Sequence, residues 1–431
     1  MKYYENPSPD KWDEILKRPA KKTKELHEVV GKVLDDVRSN GDSALKKYEL
    51  QFDKVALEEL AVSEEEFTEA QACVSQELKD AIQIAHDNIY KFHAAQKFSP
   101  IRVETCWGIV CEQRAVPIEK VGLYIPGGTA PLFSTVLMLA VPAKIAGCSE
   151  IILCTPPDKD GKCNPAVLYS AKVSGVSKIY KVGGAQAIAA MAYGTESVPK
   201  VDKIFGPGNQ YVVAAKQLVS LEDVAIDMPA GPSEVEVIAD AESNPVFVAA
   251  DLLSQAEHGV DSQVVLVATD KNIIEAVNAE LVKQLQQLPR KEIAEKALQN
   301  SKVIYVPTDD MVVSLSNAYA PEHLVISTKN CDSIAEKITH AGSVFLGAFS
   351  CESAGDYASG TNHTLPTKGY AKAYSGLCLD SFMRKITFQR LSSDGVKSIG
   401  KAVELMAEAE GLDAHKNAMT VRLNYVNGLT E

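Results

Sequence analysis

Two short segments of the chain carry residue types that suit acid–base chemistry and metal binding. Glu322 is followed directly by His323, and a carboxylate beside an imidazole can share proton transfers because histidine has an unperturbed pKa of about 6.5. Gln255 and His258 are three residues apart in a predicted helix, so both side chains can face one cation. Taken alone, a Glu-His pair is more often a surface ion pair, and a histidine at a helix end is more often a capping or surface residue, so these alternatives stay open.

A third candidate segment, Cys351 to His363, is rich in small and polar residues, as ordered functional loops often are. Asp356 is its best candidate for a metal ligand or a base, and His363 is the alternative. Near the C-terminus, a predicted helix ends at Glu410 and the following glycine, and the stretch from Glu410 to His415 adds two more groups that suit a cation.

Three glycine turns each join a predicted strand to a predicted helix. Such a junction offers free backbone N–H groups and the positive end of a helix, which suits phosphate. The turns are Pro126–Gly128, Gly183–Gln186 and Gly206–Asn209. Polar side chains at these turns, which could contact a nucleotide, are Tyr124, Gln186 and Asn209. The chain contains no GxGxxG or Walker sequence, so turns without a ligand remain the alternative.

The elements that must position these residues alternate between strand and helix. Apolar runs and helical segments follow one another from about residue 120 to Leu346, which predicts parallel sheets covered by helices. We predict an α/β fold with two Rossmann-like parallel-sheet domains that lack GxGxxG, N-terminal helices and a small helical C-terminal tail. The predicted boundaries are 1–120 for the N-terminal helical region, 121–232 and 233–375 for the two Rossmann-like domains, and 376–431 for the tail.

Composition narrows the class of partner. The 431 residues include 44 Lys and Arg against 57 Asp and Glu, a net charge of −13. This balance argues against nucleic acid or an anionic membrane as the main partner. Nine cysteines without a CxxC pair are typical of reduced thiols, and the N-terminus has no apolar signal segment. We therefore expect a cytoplasmic protein that binds neither nucleic acid nor membrane.

Seven segments resemble the histidinol dehydrogenase family in order and spacing. They are VGLYIPGG, KVGGAQAIAAMAYGTESVPKVDKIFGPGN, AIDMPAGPSEVEVIAD, DLLSQAEHG, APEHL, ESAGDYASGTNHTLPT and AEGLDAHKNA. They extend from Val121 to Ala418, and the match is specific because several long strings agree independently. The N-terminal hundred residues are the least distinctive part.

The resemblance implies a role for each candidate residue. The implied ligands of one zinc ion per subunit are Gln255, His258, Asp356 and His415. The implied acid–base pair is Glu322 and His323, and the implied NAD+ contacts, in the 121–232 domain, are Tyr124, Gln186 and Asn209. The implied contacts to substrate are Ser233 and Glu410, together with the four zinc ligands and the acid–base pair.

The resemblance also implies an activity and an assembly. Similar enzymes oxidise L-histidinol to L-histidine through histidinaldehyde, with two NAD+ reduced, in the last two steps of histidine biosynthesis. Similar enzymes are homodimers with shared active sites, and the C-terminal tail crosses to the partner. We interpret His323 as the base for the hydroxyl proton, Glu322 as the group that activates water, and the metal as an anchor for substrate.

Three other functions remain compatible with the residues. A zinc hydrolase would explain the metal ligands but not the three glycine turns. A non-catalytic metal- or nucleotide-binding protein would not need Glu322. A dehydrogenase for another amino alcohol or a polyol would fit the same fold and the same NAD+ site.

Overall fold

The computed structural model describes residues 1–19, 23–127, 131–229 and 231–429, so Gly128 of the first glycine turn lies outside the described residues. By its contacts the chain divides into two compact units. The first unit is Met1–Ala95 with Ile118–Ser381, and the second is Gln96–Pro117 with Phe382–Glu431. The finer domain boundaries given above stay a prediction.

The strands and the helices, each numbered in chain order, have the following bounds. The strands are β1 (Lys2–Glu5), β2 (Ile101–Cys106), β3 (Ile109–Pro117), β4 (Lys120–Tyr124), β5 (Glu150–Thr155), β6 (Lys178–Lys181), β7 (Lys203–Phe205), β8 (Ala225–Ile226), β9 (Glu234–Ala239), β10 (Gln263–Ala268), β11 (Lys302–Tyr305), β12 (His323–Ser327), β13 (Ser343–Leu346) and β14 (Met383–Leu391). The helices are α1 (Trp12–Ile15), α2 (Thr23–Tyr48), α3 (Glu64–Cys73), α4 (Gln76–Ala94), α5 (Phe133–Ala146), α6 (Pro165–Val173), α7 (Gly184–Tyr193), α8 (Gln210–Val219), α9 (Pro245–Ala256), α10 (Lys271–Leu285), α11 (Lys291–Gln299), α12 (Asp309–Tyr319), α13 (Cys331–Ala335), α14 (Glu352–Tyr357), α15 (Ser393–Ala409) and α16 (Asp413–Val426).

The first parallel sheet has the strand order β6-β5-β4-β7-β8. Its central strand β4 pairs with a strand on each side, so that Leu123 lies opposite both Leu153 and Phe205. Helix α5 packs beside it and is apolar on every face, because eleven of its fourteen residues are buried. Neither α5 nor any other helix of the described residues is long and apolar enough to span a bilayer.

The second parallel sheet has the order β1-β11-β10-β9-β12-β13. Strand β9 is buried along its whole length, and its Val237 lies opposite Leu266 and Val325. Helices α9 and α10 pack on one face, and α12 packs on the other. The predicted α/β class with two parallel sheets is confirmed. The edge strand β1 was not predicted, since its four residues carry mixed charge and aromatic groups without a clear period.

The second unit contains an antiparallel sheet of order β14-β3-β2 together with α15 and α16. The predicted helical tail is therefore only partly right, because it opens with the nine-residue strand β14. Residues 101–117, placed in the helical N-terminal region, form β2 and β3 instead. These strands were missed because most of their residues remain at least partly exposed on both faces, and so lack the alternation that marks a strand.

Candidate active site

The predicted acid–base pair lies where the chain enters β12. Glu322 is the residue before the strand, His323 is its first residue, and both are buried. Strand β9 runs parallel beside it, with Val235 opposite His323. The pair therefore occupies the N-terminal edge of the second sheet. Open α/β sheets more often bind ligands at the opposite edge, so the general rule would have missed this location.

Backbone hydrogen bonds hold Glu322 in place. Its Oε2 accepts from the backbone N–H of Glu234 at 2.9 Å. Its carbonyl accepts from the N–H of Ser343, also at 2.9 Å, where β13 begins. A Cβ on Gly342 would lie 2.5 Å from that same carbonyl oxygen, so this close approach requires glycine. The start of β9 thus holds the carboxylate of Glu322, and the start of β13 holds its backbone.

The side chain of Glu234 anchors the start of β9 through a buried ion pair. Arg18 donates from Nη2 to Oε1 of Glu234 at 2.7 Å and from Nε to the other carboxylate oxygen. The same Nη2 donates to the carbonyl of Tyr319 at 2.7 Å, and the guanidinium stacks 4.0 Å from the centre of the Tyr319 ring. A bidentate pair of this kind gives a rigid support.

His323 is surrounded by three carboxylates. Its Nδ1 lies 3.6 Å from Oε1 of Glu352 and 3.9 Å from Oε2 of Glu322, and its Nε2 lies 3.5 Å from Oδ1 of Asp356. These separations exceed ordinary hydrogen-bond length, and neither ring nitrogen has a hydrogen-bond partner among the described residues. Both nitrogens are therefore available for proton transfer or for a ligand.

The electrostatics follow from burying these groups together. Burial raises the pKa of Glu322 to about 8 and that of Glu352 to about 8, against the opposing effect of the His323 charge. Burial lowers the pKa of His323, but the neighbouring carboxylates outweigh it and raise the value to about 10. For Asp356 burial is likewise outweighed, in this case by His323, and its pKa is lowered. The cluster is thus a place where added positive charge is strongly favoured.

Three side chains of this cluster are spaced to hold a metal ion. One ligand atom from each of His258, Glu352 and Asp356 lies within 4.8 Å of the others. In addition, Oε2 of Glu352 and Oδ1 of Asp356 have no hydrogen-bond partner among the described residues. Buried polar atoms without partners point to a missing ligand. Nitrogen and oxygen donors in this set suit zinc, and they would also accept other divalent ions.

Helix α9 delivers two predicted metal ligands at its C-terminal end. Gln255 is fully buried inside the last turn, whereas His258 lies two residues beyond the helix and is exposed. The backbone N–H of His258 still donates to the carbonyl of Gln255 at 3.2 Å, so the two stay on one side. The amide of Gln255 is best satisfied when its nitrogen donates to Glu352 and its oxygen accepts from the Glu234 N–H at 3.1 Å.

Two further candidates, Ser233 and His363, take part in hydrogen bonds that hold the backbone. Ser233 directly precedes β9, and its carbonyl accepts from the N–H of Gln263 at 3.2 Å. His363 uses both ring nitrogens, one at 2.8 Å from the carbonyl of Asp356 and the other at 3.0 Å from the hydroxyl of Thr135. His363 therefore supports the backbone of Asp356, and the alternative that it serves as a ligand is not favoured.

Two predicted site residues lie in the second unit. Glu410 caps the end of α15, and His415 belongs to the first turn of α16. Both side chains are exposed. Gly411 has a positive φ of 70°, so the predicted glycine-ended helix is confirmed.

At the C-terminal edge of the first sheet, the second glycine turn is held by side chains. The N–H of Gly183 donates to Oε1 of Glu49 at 3.1 Å, and the N–H of Gly184 donates to the hydroxyl of Tyr124 at 3.0 Å. Gln186 donates from Nε2 to the same Glu49 oxygen at 2.9 Å. For the N–H groups of Gly183 and Gly184, the expectation that they are free for phosphate was therefore wrong.

The third glycine turn is likewise occupied. Gly206 donates its N–H to Asp227 at 2.8 Å, and Asp227 also forms a buried ion pair with Lys216. Asn209 caps α8, because its side-chain oxygen accepts from the N–H groups of Tyr211 and Val212 at 2.9 and 3.2 Å. For these N–H groups too the expectation of a free phosphate cradle was wrong.

Comparison with known proteins decides the family. A family model described as histidinol dehydrogenase matches residues 16–423. The chain belongs to the histidinol dehydrogenase family. It is 64% identical to the histidinol dehydrogenase of Bacteroides thetaiotaomicron over 424 residues, covering 98% of this chain and 99% of the relative. It is 52% identical to that of Campylobacter jejuni (strain RM1221), covering 97% of this chain and 98% of the relative.

A solved structure extends the agreement to the fold. The crystal structure of histidinol dehydrogenase from Elizabethkingia anophelis superposes with a TM-score of 0.97 at 56% identity and covers 99% of both chains. The resemblance found in the sequence is thus confirmed. Membership of the histidinol dehydrogenase family makes the protein an oxidoreductase, as predicted.

Two buried carboxylates at these sites were missed from the sequence. The first is Glu352, which lies four residues before the predicted ligand Asp356. This spacing places both side chains on one face of a helix, so the segment contained a signal for Glu352. Glu49 carried no local signal, because it lies in the charged N-terminal region and contacts residues more than 130 positions away.

Proposed function

We propose that the protein oxidises L-histidinol to L-histidine through histidinaldehyde, depends on zinc, and reduces two NAD+ in the last two steps of histidine biosynthesis. The observation that carries the proposal is the buried cluster of His323 and three carboxylates, with ligand atoms of His258, Glu352 and Asp356 within 4.8 Å of one another. Relatives that are 52–64% identical over nearly the whole chain carry the name of this activity.

The donor set fits a zinc ion. Two carboxylates and one imidazole, with polar atoms that lack partners, would hold it, and we assign Gln255 and His415 as the further ligands. In the orientation that satisfies its hydrogen bonds, the Gln255 oxygen accepts from the Glu234 N–H, so it would bind a metal only if the amide turned. When bound, zinc would supply positive charge that compensates the carboxylates and would anchor the amine and imidazole nitrogens of the substrate.

His323 and Glu322 perform the proton transfers in this proposal. His323 takes the proton of the substrate hydroxyl as hydride leaves the carbinol carbon. The carboxylates raise its pKa to about 10, and a bound cation that compensates their charge would lower this value, so that the neutral ring accepts the proton. The aldehyde must then be hydrated before a second hydride can leave. Glu322 activates that water, and its buried position with a pKa near 8 suits a base that works close to neutral pH.

NAD+ serves as the acceptor of both hydrides, with Tyr124, Gln186 and Asn209 as its contacts. Gln186 supports this assignment, since its side-chain oxygen is buried and has no partner among the described residues. A hydroxyl or amide donor of the dinucleotide would satisfy that oxygen. Since the N–H groups of Gly183, Gly184 and Gly206 already have acceptors, we assign the phosphates to other groups.

We further propose a homodimer in which Glu410 and His415 complete the partner's site. The second unit exposes large apolar side chains, among them Trp107 and Tyr425, which are each 75% exposed, and Leu429 at 72%. Surfaces of this kind mark protein–protein contacts. Ser233 and Glu410 are assigned to the substrate, and we expect the protein to act in the cytoplasm.

The test counts reducing equivalents. Purified protein is mixed with limiting L-histidinol and excess NAD+, and NADH is measured with and without a chelator. We expect two NADH per histidinol, loss of turnover with chelator, and recovery with zinc. One NADH per substrate, or turnover that resists metal removal, would contradict the proposal. Sedimentation of the same sample measures the oligomeric state.

A further inference from the structure

Helix α2 continues into a π-helix, Glu49–Asp53, whose first residue is fully buried. The carboxylate of Glu49 lies at the C-terminal edge of the first sheet, where β6 ends and α7 begins. A buried carboxylate is costly unless it makes specific contacts. Glu49 is therefore a group whose presence there needs a reason.

One oxygen of Glu49 joins two parts of the turn. Oε1 accepts from the N–H of Gly183 at 3.1 Å and from Nε2 of Gln186 at 2.9 Å. The next N–H, that of Gly184, is taken by the Tyr124 hydroxyl at 3.0 Å. Side chains from the π-helix and from β4 thus satisfy two successive N–H groups at the start of α7.

The contact with Glu49 also fixes which way the Gln186 amide faces. With Nε2 donating to Glu49, the amide oxygen is directed away from the carboxylate and has no partner among the described residues. The oxygen sits beside Gly184, where an added Cβ would lie only 2.7 Å away and where φ is +60°. The turn therefore admits only glycine beside an acceptor that is held ready for a donor.

We propose that Glu49 is a positioning residue for the dinucleotide: it locks the Gly183–Gly184 turn and orients Gln186 so that its amide oxygen accepts a hydrogen bond from the bound cofactor. This inference rests on the proposed function, since it takes the dinucleotide as the ligand of Gln186. It adds a residue from the N-terminal helical region to that site. A single oxygen of Glu49 accepts the hydrogen bonds from Gly183 and Gln186. The proposed role therefore requires an acceptor oxygen at position 49 and not a negative charge.

Two substitutions separate an acceptor from a merely structural residue. Glu49→Ala removes the acceptor, and we expect the KM for NAD+ to rise about tenfold, as loss of one well-formed hydrogen bond predicts, with kcat and the KM for histidinol within about twofold of wild type. Glu49→Gln keeps an oxygen for the same two donors and should restore the KM for NAD+. In the Gln186→Ala background, Glu49→Ala should add little further increase.

Asp42, which lies on α2 before the π-helix, provides a matched control. It also accepts hydrogen bonds from a distant segment, from Thr195 and Ser197, but away from the glycine turn. Asp42→Ala should lower the melting temperature and leave the KM for NAD+ unchanged. If Asp42→Ala raised the KM for NAD+ as much as Glu49→Ala does, the effect would be general destabilisation and the proposal would be overturned.

Direct titration with NADH, followed by fluorescence, tests the role of Glu49 separately from the proposed function. If wild type binds NADH and Glu49→Ala binds it equally well, the role of Glu49 is overturned while the proposed function stands. If wild type binds no NADH, both fall. Weaker binding by Glu49→Ala, restored in Glu49→Gln, supports the proposal.

Discussion

Nδ1 of His323 lies 3.6 Å from Oε1 of Glu352, although the two residues belong to different elements. Glu352 opens the short helix α14, and His323 opens β12. Since Asp356, one turn further along α14, lies 3.5 Å from the other ring nitrogen, a single helical face flanks the imidazole on both sides. The predictions below follow from this arrangement and from the groups that support it.

Glu352→Gln should weaken metal binding. The change removes one charge from the set formed with His258 and Asp356, and it disturbs the hydrogen bond with Gln255. We expect the affinity for zinc to fall at least about tenfold, measured by competition with a chromophoric chelator. The control is Glu336→Gln, which changes an exposed residue at the C-terminal end of α13. An unchanged zinc affinity would exclude Glu352 from the metal site.

His258→Asn should lower metal content and raise the KM for histidinol, because an imidazole ligand is lost while the fold around α9 is kept. Metal per subunit can be measured by mass spectrometry after purification. His86→Asn, which alters a histidine of α4 that lies beside Asp87, should leave both quantities unchanged. Full metal occupancy in His258→Asn would remove this residue from the ligand set.

Glu322→Gln should separate the two oxidations. The amide oxygen can still accept from the Glu234 N–H, so the melting temperature should change little. Loss of the base that activates water should slow the second oxidation by about 10²- to 10⁴-fold. In rapid mixing with excess NAD+, one NADH per site should form before a slow second phase. Two NADH formed at the wild-type rate would rule out this role.

Arg18→Met should destabilise the protein strongly, because it leaves Glu234 buried without its partner. Breaking a buried ion pair in this way costs about 3–5 kcal/mol. Urea unfolding gives the measurement. Adding Glu234→Gln should recover much of the loss, since the uncompensated charge is then removed while the backbone N–H of residue 234 remains. A double variant as unstable as Arg18→Met would contradict this account.

Glu236→Gln should stabilise the protein only at high pH. Glu236 is fully buried in β9, and burial raises its pKa to about 8, opposed by Ser316 and Arg18. A raised pKa favours the protonated form in the fold, so its stabilising effect is complete below the ordinary value near 4.5 and is lost as the pH rises through about 8.

Glutamine mimics the protonated form at every pH. At pH 9 the variant should therefore melt at least about 2 °C above wild type, whereas at pH 4.5 the two should agree. Scanning calorimetry at several pH values gives the comparison. A difference that does not vary with pH would show that the ionisation of Glu236 does not contribute.

The sequence predicted what depends on local pattern. Parallel strands and their helices follow from apolar runs with both faces buried, and Glu322 and His323 are close because they are neighbours in the chain. Glu352 lies four residues before Asp356, a spacing that pointed to it, but its contact with His323 arises only when α14 folds onto the start of β12. Glu49 was missed because its partners are more than 130 residues away.

The errors about N–H groups and strands have physical causes as well. A glycine turn before a helix reveals that N–H groups are present, but not that Tyr124, Glu49 or Asp227 already accept from them. Strands β2 and β14 lack a buried face that would impose alternation on their sequence. Burial and long-range contacts, rather than local preference, decide both cases.

The main-chain N–H of Glu234 donates to the Glu322 carboxylate, and it also meets the Gln255 oxygen when that amide is oriented to satisfy its hydrogen bonds. No change of side chain at position 234 deletes that atom, apart from proline, so an alanine scan would pass over it. Natural variation at this position could alter the carboxylate and still leave Glu322 and the end of α9 connected through this N–H. The connection between them runs through the peptide backbone, so substitutions of side chains other than to proline do not remove it.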